Sequence, residues 1–308
     1  MKIGVVGTIN RDTVKFPDGS IRLGWGGILY NLRGLSKRLG DTDLVVPVCN
    51  VGADCYAPIM LELKRLKMVD SNRVARVHKI NNHCRLKYHD AERKSEVLEG
   101  GVPRLDYRDI EPLHDCQYIL INFISGQDVY LKGLEKFREF YRGEIYTDIH
   151  SYTLGRARDG SRYLRTPKYW PRVVQCSDFI QMNRTELAVL ISNNFREYVN
   201  KPVAENMQRV IEILRRRKIS PDRKMFIVTG GAEGCTILGV TGDKLNTSKY
   251  EPRGSKLKGD TTGCGDSFSA GFLAGIARRK SLDDCVATAQ EAASECIRSN
   301  ERWRNHIK

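Results

Sequence analysis

Short apolar runs alternate with longer amphipathic stretches along most of the chain, as in a parallel β-sheet whose strands are joined by helices. The apolar runs predict buried strands at Lys2–Val6, Leu44–Val48, Tyr118–Ile124, Ile145–Asp148, Phe179–Met182 and Phe226–Thr229. The amphipathic stretches predict helices at Gly27–Leu39, Val129–Tyr141, Thr185–Ile191, Val203–Arg216, Gly263–Ala277 and Leu282–Ile297. The pattern therefore predicts the α/β class, as a three-layer α/β/α sandwich around a mostly parallel sheet.

Two segments interrupt this rhythm, residues 13–23 and residues 73–104. In both, apolar residues recur among charged ones without helical spacing, which predicts antiparallel strands outside the main sheet. We interpret the two segments as one small β lid. The main domain would then consist of residues 1–12, 24–72 and 105–308.

Composition narrows the class of protein. The 308 residues, 41% of them hydrophobic, suffice for one large α/β core. No apolar run approaches the length of a membrane span, and the first strand begins at Lys2, so the sequence predicts a soluble, cytoplasmic protein without a membrane partner. Nine cysteines without a CxxC pair indicate reduced thiols.

The formal net charge of +14 attracts anions of several kinds, from nucleic acid to nucleotides and phosphorylated metabolites. The basic residues are spread along the chain, and no pattern of a known nucleic-acid module surrounds them. We therefore favour a solvated basic surface over a nucleic-acid partner.

The strongest chemical signal is the run Asp260-Thr-Thr-Gly-Cys-Gly-Asp266, which opens a predicted helix. Gly263 and Gly265 allow a tight turn, and the helix N-terminus offers unpaired N–H groups to an anion such as phosphate. A carboxylate beside such a site is costly unless it has a role, and Asp266 could accept the proton of an attacking hydroxyl. The alternative is that Asp266 only caps the helix, and the segment alone favours neither.

This run resembles the second signature of the ribokinase family, also called the PfkB carbohydrate kinase family, in which Asp-Thr-x-Gly-Ala-Gly-Asp forms an anion hole and carries the base. The resemblance implies a ribokinase-like fold, Asp266 as catalytic base, and an anion hole of Gly263, Cys264 and Gly265. Cys264 stands where the family usually has Ala. Its backbone N–H can still serve, while the thiol could make the site sensitive to oxidation.

Three landmarks near the N-terminus follow the order of the family: Gly7 to Asp12, Gly26-Gly27-Ile-Leu-Tyr-Asn31, and Gly-x-Asp at residues 52–54. The resemblance implies that Asn10 and Asp12 accept hydrogen bonds from hydroxyls of the acceptor. It also implies that Gly26 and Gly27 admit the substrate closely and that Asn31 donates to it.

Further along, Asn183-Arg-Thr-Glu186 resembles the Asn-x-x-Glu motif that organises Mg²⁺ in the family, largely through water. Mg²⁺ keeps several waters and needs few carboxylates besides the phosphates, so the chemistry is sound. The alternative is a capping box with Asn183 as N-cap, and the segment alone favours that alternative.

The run Thr229-Gly-Gly-Ala-Glu-Gly234 resembles the Thr-x-Gly-x-x-Gly turn that lines the nucleotide. The resemblance implies contacts to ATP from Asn183, Thr229, Gly231, Gly234 and Thr262. Tyr146-Thr-Asp-Ile-His150 departs from the Asp-x-Asn-x-Arg pattern, because His150 replaces the Asn. His150 is open to a structural role, or to contact with metal-bound water or substrate.

Together these features predict an ATP- and Mg²⁺-dependent kinase acting on a hydroxyl of a sugar or sugar-like small molecule. No Walker A sequence, dinucleotide fingerprint or protein-kinase loop occurs. The alternatives are a nucleoside kinase of the same family, or a non-catalytic scaffold that binds nucleic acid or protein. The sequence leaves open the acceptor, a monovalent cation at the loop around Asp260, and a homodimer through the lid.

Overall fold

The computed structural model describes residues 1–90, 94–253, 257 and 259–305. Its strands are β1 (Lys2–Val6), β2 (Arg11–Lys15), β3 (Ile21–Trp25), β4 (Leu44–Gly52), β5 (Val74–Val77), β6 (His83–Tyr88), β7 (Lys94–Glu99), β8 (Tyr118–Asn122), β9 (Glu144–Asp148), β10 (Leu154–Arg156), β11 (Arg162–Leu164), β12 (Phe179–Asn183), β13 (Met225–Thr229), β14 (Cys235–Thr241) and β15 (Lys244–Tyr250). Its helices are α1 (Ile28–Ser36), α2 (Tyr56–Lys64), α3 (Tyr107–Ile110), α4 (Leu131–Phe140), α5 (Trp170–Cys176), α6 (Arg184–Ile191), α7 (Val203–Arg216), α8 (Cys264–Ala277) and α9 (Leu282–Asn305).

Nine of these strands form the central sheet, in the order β15-β14-β13-β12-β9-β8-β1-β4-β5. Every neighbouring pair from β13 to β5 is parallel, whereas the pairs β13–β14 and β14–β15 are antiparallel. Successive strand residues bury on opposite faces, as Leu120 and Ile121 of β8 do in two separate apolar clusters. One cluster packs α4 to α7 and the other packs α1, α2, α8 and α9, which confirms the predicted three-layer sandwich.

The apolar runs located all six predicted strands, and the helical spacing located all six predicted helices, with shifts at their ends. The four-residue α3 was not predicted, and neither were two longer helices, α2 and α5. Each has proline in its first turn, Pro58 and Pro171, where it is tolerated because the first N–H groups need no helical acceptor. Strand β15 gave no signal, since none of its residues is buried.

A second sheet of four strands, β3-β2-β6-β7, lies outside the central one, and we call it the lid sheet. Its own small core consists of Val14, Phe16, Cys84, Leu86, Tyr88 and Leu98. The prediction of an entirely antiparallel lid was wrong, because β2 and β6 pair in parallel. Residues 74–77 were also assigned to the lid, but as β5 they pair with β4, completing a β–α–β crossover through α2.

All nine cysteines are free thiols. Among the described helices, none combines the length and the apolar character that a membrane crossing requires.

Candidate active site

The carboxyl ends of the parallel strands meet the N-terminus of α8 at one edge of the central sheet. Two strand residues make the contact. Asn122, which ends β8, donates from Nδ2 to Asp266 Oδ1 at 2.8 Å, and Gln181 of β12 donates from Nε2 to the carbonyl of Gly265 at 3.0 Å. This edge is where open α/β sheets bind ligands.

The N-terminus of α8 has no side-chain cap. Its N-cap is Gly263, at φ 81°, and a Cβ there would lie 2.5 Å from the Tyr30 ring, so only glycine fits. The Cys264 N–H donates to the carbonyl of Thr261 at 3.1 Å. Within the part of the chain that the structure describes, the N–H groups of Gly263, Gly265 and Asp266 have no protein acceptor. Three amides are therefore available to an anion, while the Cys264 amide, which the sequence analysis included, is engaged.

Asp266 does not cap its helix. Its side chain is 4% exposed, and Oδ1 turns to the sheet edge to accept from Asn122. The helix-cap alternative for Asp266 therefore has no hydrogen bond to support it. Sequence reasoning missed Asn122, although a polar residue ending the apolar run Tyr-Ile-Leu-Ile-Asn was an available signal.

Asn31 lies behind the site, not in it. It is 0% exposed, and its Nδ2 donates to the Asp266 carbonyl at 2.7 Å and to Ser269 Oγ at 2.9 Å. Its Oδ1 accepts from Asn122 at 3.0 Å. Asn31 thus fixes α8 against the sheet, and no polar atom of this side chain remains for an acceptor molecule.

The two glycines predicted to admit the substrate approach protein atoms. A Cβ at Gly26 would lie 1.9 Å from Asp12 Oδ2, and one at Gly27 would lie 2.2 Å from the carbonyl of Thr8. Asn10 and Asp12 are both buried, at 4% exposure. The structure thus brings Asn10, Asp12, Gly26 and Gly27 together, with the glycines making room for Asp12 and the backbone.

Burial raises the pKa of Asp12 to about 7, and the charge of Asp266 adds to this effect, while the nearby Arg22 guanidinium opposes it. The charge of Asp266 thus acts on the carboxyl group of Asp12 at the predicted acceptor side.

His150 adopts φ 36°, a strained value for a residue with a side chain. Burial disfavours its imidazolium, but the charges of Asp266, Asp148 and Glu186 outweigh burial and raise the pKa of His150. Burial also raises the pKa of Asp148, whose Oδ2 accepts from Gln181 at 2.8 Å. The raised pKa therefore favours the positively charged form of His150 among the carboxylates at the sheet edge.

A cavity of ≈ 220 Å³ opens beside α8. It is lined by five predicted positions, Thr229, Gly231, Gly234, Cys264 and Gly265, together with Thr261 and the apolar Phe268 and Leu257. Thr262 does not line it. Its carbonyl accepts from Asn300 at 2.9 Å, and its Oγ1 contacts Tyr88 OH at 3.3 Å, so Thr262 holds the turn in place.

Asn183 and Glu186 form a complete capping box at α6. Asn183 Oδ1 accepts from the Glu186 N–H at 2.9 Å, Glu186 Oε2 accepts from the Asn183 N–H at 2.8 Å, and Glu186 Oε1 accepts from Asn183 Nδ2 at 2.7 Å. The capping alternative is therefore present, and no group of three or more His, Cys, Asp or Glu in the described residues could ligate a metal directly. Burial raises the pKa of Asp148, and the negative charges of Glu186 and Asp266 raise it further. The charges of both groups therefore act on Asp148, although the three carboxyl groups form no direct cluster. This donor set fits a Mg²⁺ held through water and phosphate oxygens.

The lid sheet is bonded directly to the 260–266 turn. Arg22 of β3 donates from Nε to Asp260 Oδ2 at 2.7 Å, and Tyr88 of β6 donates to Asp260 Oδ1 at 3.4 Å. The Thr262 N–H also donates to Oδ1, at 2.9 Å. Sequence reasoning missed Arg22 and Tyr88, since no motif surrounds either residue.

Cys264 is a neutral thiol. Its Sγ donates to the carbonyl of Ala293 at 3.6 Å, and hydrogen bonding with Cys296 and burial both raise its pKa. Since the thiolate is the reactive form, the contacts oppose the predicted sensitivity of this residue to oxidation.

The matching family model and two sequence relatives are all described as kinases. A family model described as pfkB family carbohydrate kinase matches residues 156–301. A sugar kinase of uncharacterised specificity from Archaeoglobus fulgidus is 31% identical over 115 residues, which are 37% of this chain and 38% of that relative. A cytidine kinase from Thermococcus kodakarensis is 25% identical over 315 aligned residues, which cover 97% of both chains. The chain thus matches less than half of the first relative and nearly all of the second.

Solved structures share the fold. Ribokinase from Thermotoga maritima superposes with a TM-score of 0.70 at 17% identity, covering 96% of this chain and 93% of that one. A pyrophosphate-dependent kinase in the ribokinase family gives 0.72 at 17% identity, with 97% and 95% covered. Ribokinase from Arabidopsis thaliana, complexed with ribose and ATP, gives 0.69 at 17% identity, with 96% and 92% covered. These similarities confirm the predicted fold.

Proposed function

Because a family model described as pfkB family carbohydrate kinase matches residues 156–301, we propose that this chain transfers the γ-phosphoryl group of ATP to a hydroxyl of a sugar or sugar-like molecule, with Asp266 as the general base. The observation that carries the proposal is the uncapped N-terminus of α8. Three N–H groups without acceptors in the described chain stand beside one buried carboxylate, between the ≈ 220 Å³ cavity and Asp12.

ATP would lie along the ≈ 220 Å³ cavity, with the ring face of its base against the apolar Phe268 and Leu257 and its phosphates toward α8. The free amides of Gly263, Gly265 and Asp266 then stabilise negative charge on the transferred group, which is the main form of catalysis in phosphoryl transfer. ATP is proposed because the Arabidopsis ribokinase binds it.

The acceptor would lie between the lid sheet and the sheet edge, against Asn10 and Asp12. Asp266 takes the proton of the attacking hydroxyl, and Asn122, bonded to Oδ1, keeps the carboxylate at the sheet edge. A positioned base contributes about 10²–10⁴-fold to the rate. The raised pKa of His150 favours its positively charged form, which would lie near the phosphoryl group.

Mg²⁺ would be held by donor phosphates and by waters bonded to Glu186, Asp148 and Asn183. When bound, it neutralises the phosphate charge that these carboxylates would otherwise repel. The lid sheet keeps bulk water from the reacting groups, because a water that replaced the acceptor would waste ATP.

A nucleoside is the second candidate acceptor, and the cytidine kinase relative that matches along 97% of the chain favours it. One assay separates the candidates: ribose, hexoses, sugar phosphates and nucleosides are tested as acceptors, measuring ADP release with ATP as donor and phosphate release with pyrophosphate as donor. Turnover with a sugar and ATP supports the proposal. Salt-sensitive binding of nucleic acid without turnover for any acceptor would instead favour a non-catalytic scaffold.

Two further features of the family bear on the assay. The guanidinium of Arg22 already lies against Asp260, so we expect turnover without K⁺ or Na⁺, measured in a buffer of tetramethylammonium ions. Ile21 and Leu23 of the edge strand β3 are 47% and 57% exposed, which supports a homodimer through the lid sheet. Light scattering of the Leu23→Lys variant against the unchanged protein tests this dimer.

A further inference from the structure

A second cavity lies on the other side of the α8 N-terminus. It has a volume of ≈ 430 Å³ and is enclosed by α1, α9 and β3, and we call it the α1–α9 cavity. No residue lines both this cavity and the ≈ 220 Å³ cavity assigned to the donor. Asp12 and Asp266, at the proposed acceptor side, do not line it either. The α1–α9 cavity is thus separate from the proposed active site, and its volume is within the range of ligand pockets.

The lining of the α1–α9 cavity carries an excess of positive charge. Five lining residues are cationic and two are acidic: Arg11, Arg22, Arg33, Lys37 and Arg38 against Glu62 and Glu295. Glu62 pairs with Arg33 at 3.1 Å, and Glu295 lies 3.5 Å from Lys37 and 3.2 Å from Arg38. In the described chain no carboxylate pairs with Arg11, and the partner of Arg22, Asp260, lies outside the lining.

Two of these cations have buried donors with no acceptor. Arg22 is 5% exposed, and its Nη2 has no partner, while Arg38 has none for Nε. Buried N–H groups are nearly always paired in folded proteins, so each is a site where an anion oxygen would be stabilising. The Arg22 donor counts most, because it belongs to a residue already held by a hydrogen bond from Nε.

Aromatic side chains line the same cavity. Trp25 is partly buried at the end of β3, and Tyr30 projects from α1. A ring beside cationic groups is the combination that holds a phosphorylated molecule bearing a sugar or base. We propose that the α1–α9 cavity binds a phosphate monoester attached to a ring, which a nucleotide and a sugar phosphate both provide.

The wall of this cavity is also the back of the 260–266 turn. Arg22 bonds Asp260 at 2.7 Å, Tyr30 packs on Gly263, and Asn300 donates from Nδ2 to the carbonyls of Asp260 at 3.1 Å and Thr262 at 2.9 Å. A ligand that binds these side chains changes their contacts to the turn, and with them the position of the three free amides. Occupancy of the cavity therefore alters donor affinity, and by linkage the donor alters the affinity of the cavity to the same extent. This coupling rests on the proposed function, whereas binding itself does not.

Binding is tested by tryptophan fluorescence in the absence of acceptor and donor, with AMP, ribose 5-phosphate and inorganic phosphate as separate probes. The variant of the cavity lining, which we call the groove variant, combines Arg33→Gln with Lys37→Gln. It removes both positive charges and keeps part of each aliphatic stem. The control variant is Lys132→Gln with Arg216→Gln, two exposed cations on α4 and α7. Thermal unfolding verifies that both variants fold.

We expect saturable quenching by AMP or ribose 5-phosphate, weakened about tenfold or more in the groove variant and unchanged in the control, because charge-assisted hydrogen bonds are lost only in the former. Trp25→Leu should remove the quench. A preference for AMP over ribose 5-phosphate would identify a nucleotide, and the reverse a sugar phosphate.

Absence of saturable binding for all probes would overturn the proposal. Equal affinity in the groove variant would also overturn it, because the probe would then sit in the active site. If inorganic phosphate bound more tightly than AMP and ribose 5-phosphate, the proposal that the cavity recognises a ring attached to the phosphate would be overturned. Each of these results is independent of kinase turnover, so failure of the proposed function would be seen separately.

Discussion

Helices α6 and α8 both begin at the edge of the central sheet, and both carry a carboxylate at their third residue. At α6, Glu186 folds back onto the N-cap residue Asn183 and closes a capping box. At α8, the N-cap is Gly263, which has no side chain to offer, and Asp266 is held by Asn122 away from the helix end. One helix satisfies its own N-terminus, and the other leaves three amides without an acceptor in the described chain.

The difference shows that a carboxylate in the first turn of a helix can serve either of two roles, capping the helix or accepting a proton. With a side-chain cap, it neutralises the helix dipole and stabilises the fold. With glycine at the cap, the amides remain free for an anion, and the carboxylate is left for proton transfer. Under the proposed function, the N-cap residue decides which helix N-terminus binds the transferred phosphoryl group.

The largest expected effect is the loss of turnover in Asp266→Asn. Turnover should fall about 10²–10⁴-fold, because the amide cannot accept the proton, while ATP binding persists. ADP release with the best acceptor measures the rate, and equilibrium dialysis measures ATP binding. Glu186→Gln is the matched control at α6, and its turnover should fall less. Retention of more than a few per cent of the rate in Asp266→Asn would show that Asp266 is not the base.

Asp12→Asn removes a buried carboxyl group whose pKa is raised, and its effect on stability depends on pH. Because burial raises the pKa of Asp12 to about 7, the folded protein keeps a proton that the unfolded chain loses above its ordinary pKa near 4. Unfolding then releases a proton, so this group costs stability as pH rises from about 4 to 7, up to about 4 kcal/mol. The substitution should therefore stabilise the protein far more at pH 8 than at pH 5.

Urea unfolding at both pH values measures this difference. Asp43→Asn is the control with the opposite sign, because Asp43 pairs with Arg278 at 2.9 Å and its pKa is lowered. That variant should lose stability at pH 8. An equal gain for Asp12→Asn at both pH values would mean that Asp12 is ionised in the folded protein throughout this range.

Periodicity and the glycine-rich turn were enough to predict six strands of the central sheet, six helices and the position of α8. Buried apolar runs report burial directly, and the Gly263–Asp266 spacing reports a turn whose geometry few residues allow. The prolines of α2 and α5 hid two helices, because a proline in the first turn has the same sequence signal as a proline that breaks a helix.

The site was harder to predict, because motifs identify positions and not partners. Asn31 was predicted to donate to the substrate, yet its amide donates to the backbone of α8, and Asn122 and Ser269 take the remaining bonds. Arg22 contacts Asp260 across 238 positions of sequence, a pairing that local pattern does not contain. Long-range polar contacts of this kind depend on how the lid sheet packs.

Gly263→Ala tests the glycine cap itself. The φ of 81° and the Tyr30 ring at 2.5 Å from the new Cβ should together cost about 1–3 kcal/mol of stability, and the displaced turn should weaken ATP binding. Gly239→Ala is the control, because nothing lies within 4 Å of its Cβ position. Urea unfolding and ATP dialysis give the two quantities. Unchanged ATP affinity would show that the amides at the N-terminus of α8 do not bind the phosphates of ATP.

Asn183→Ala and Asn183→Ser test the opposite helix end, with the smallest expected effect. The Ala variant should lose about 1 kcal/mol of stability with the cap, and the Ser variant should regain most of it, because a hydroxyl also accepts from the Glu186 N–H. Both variants lack the Nδ2 donor to Glu186 Oε1, so both should shift the Mg²⁺ concentration for half-maximal turnover equally. A shift in the Ala variant alone would place the effect in the cap and not in the metal site.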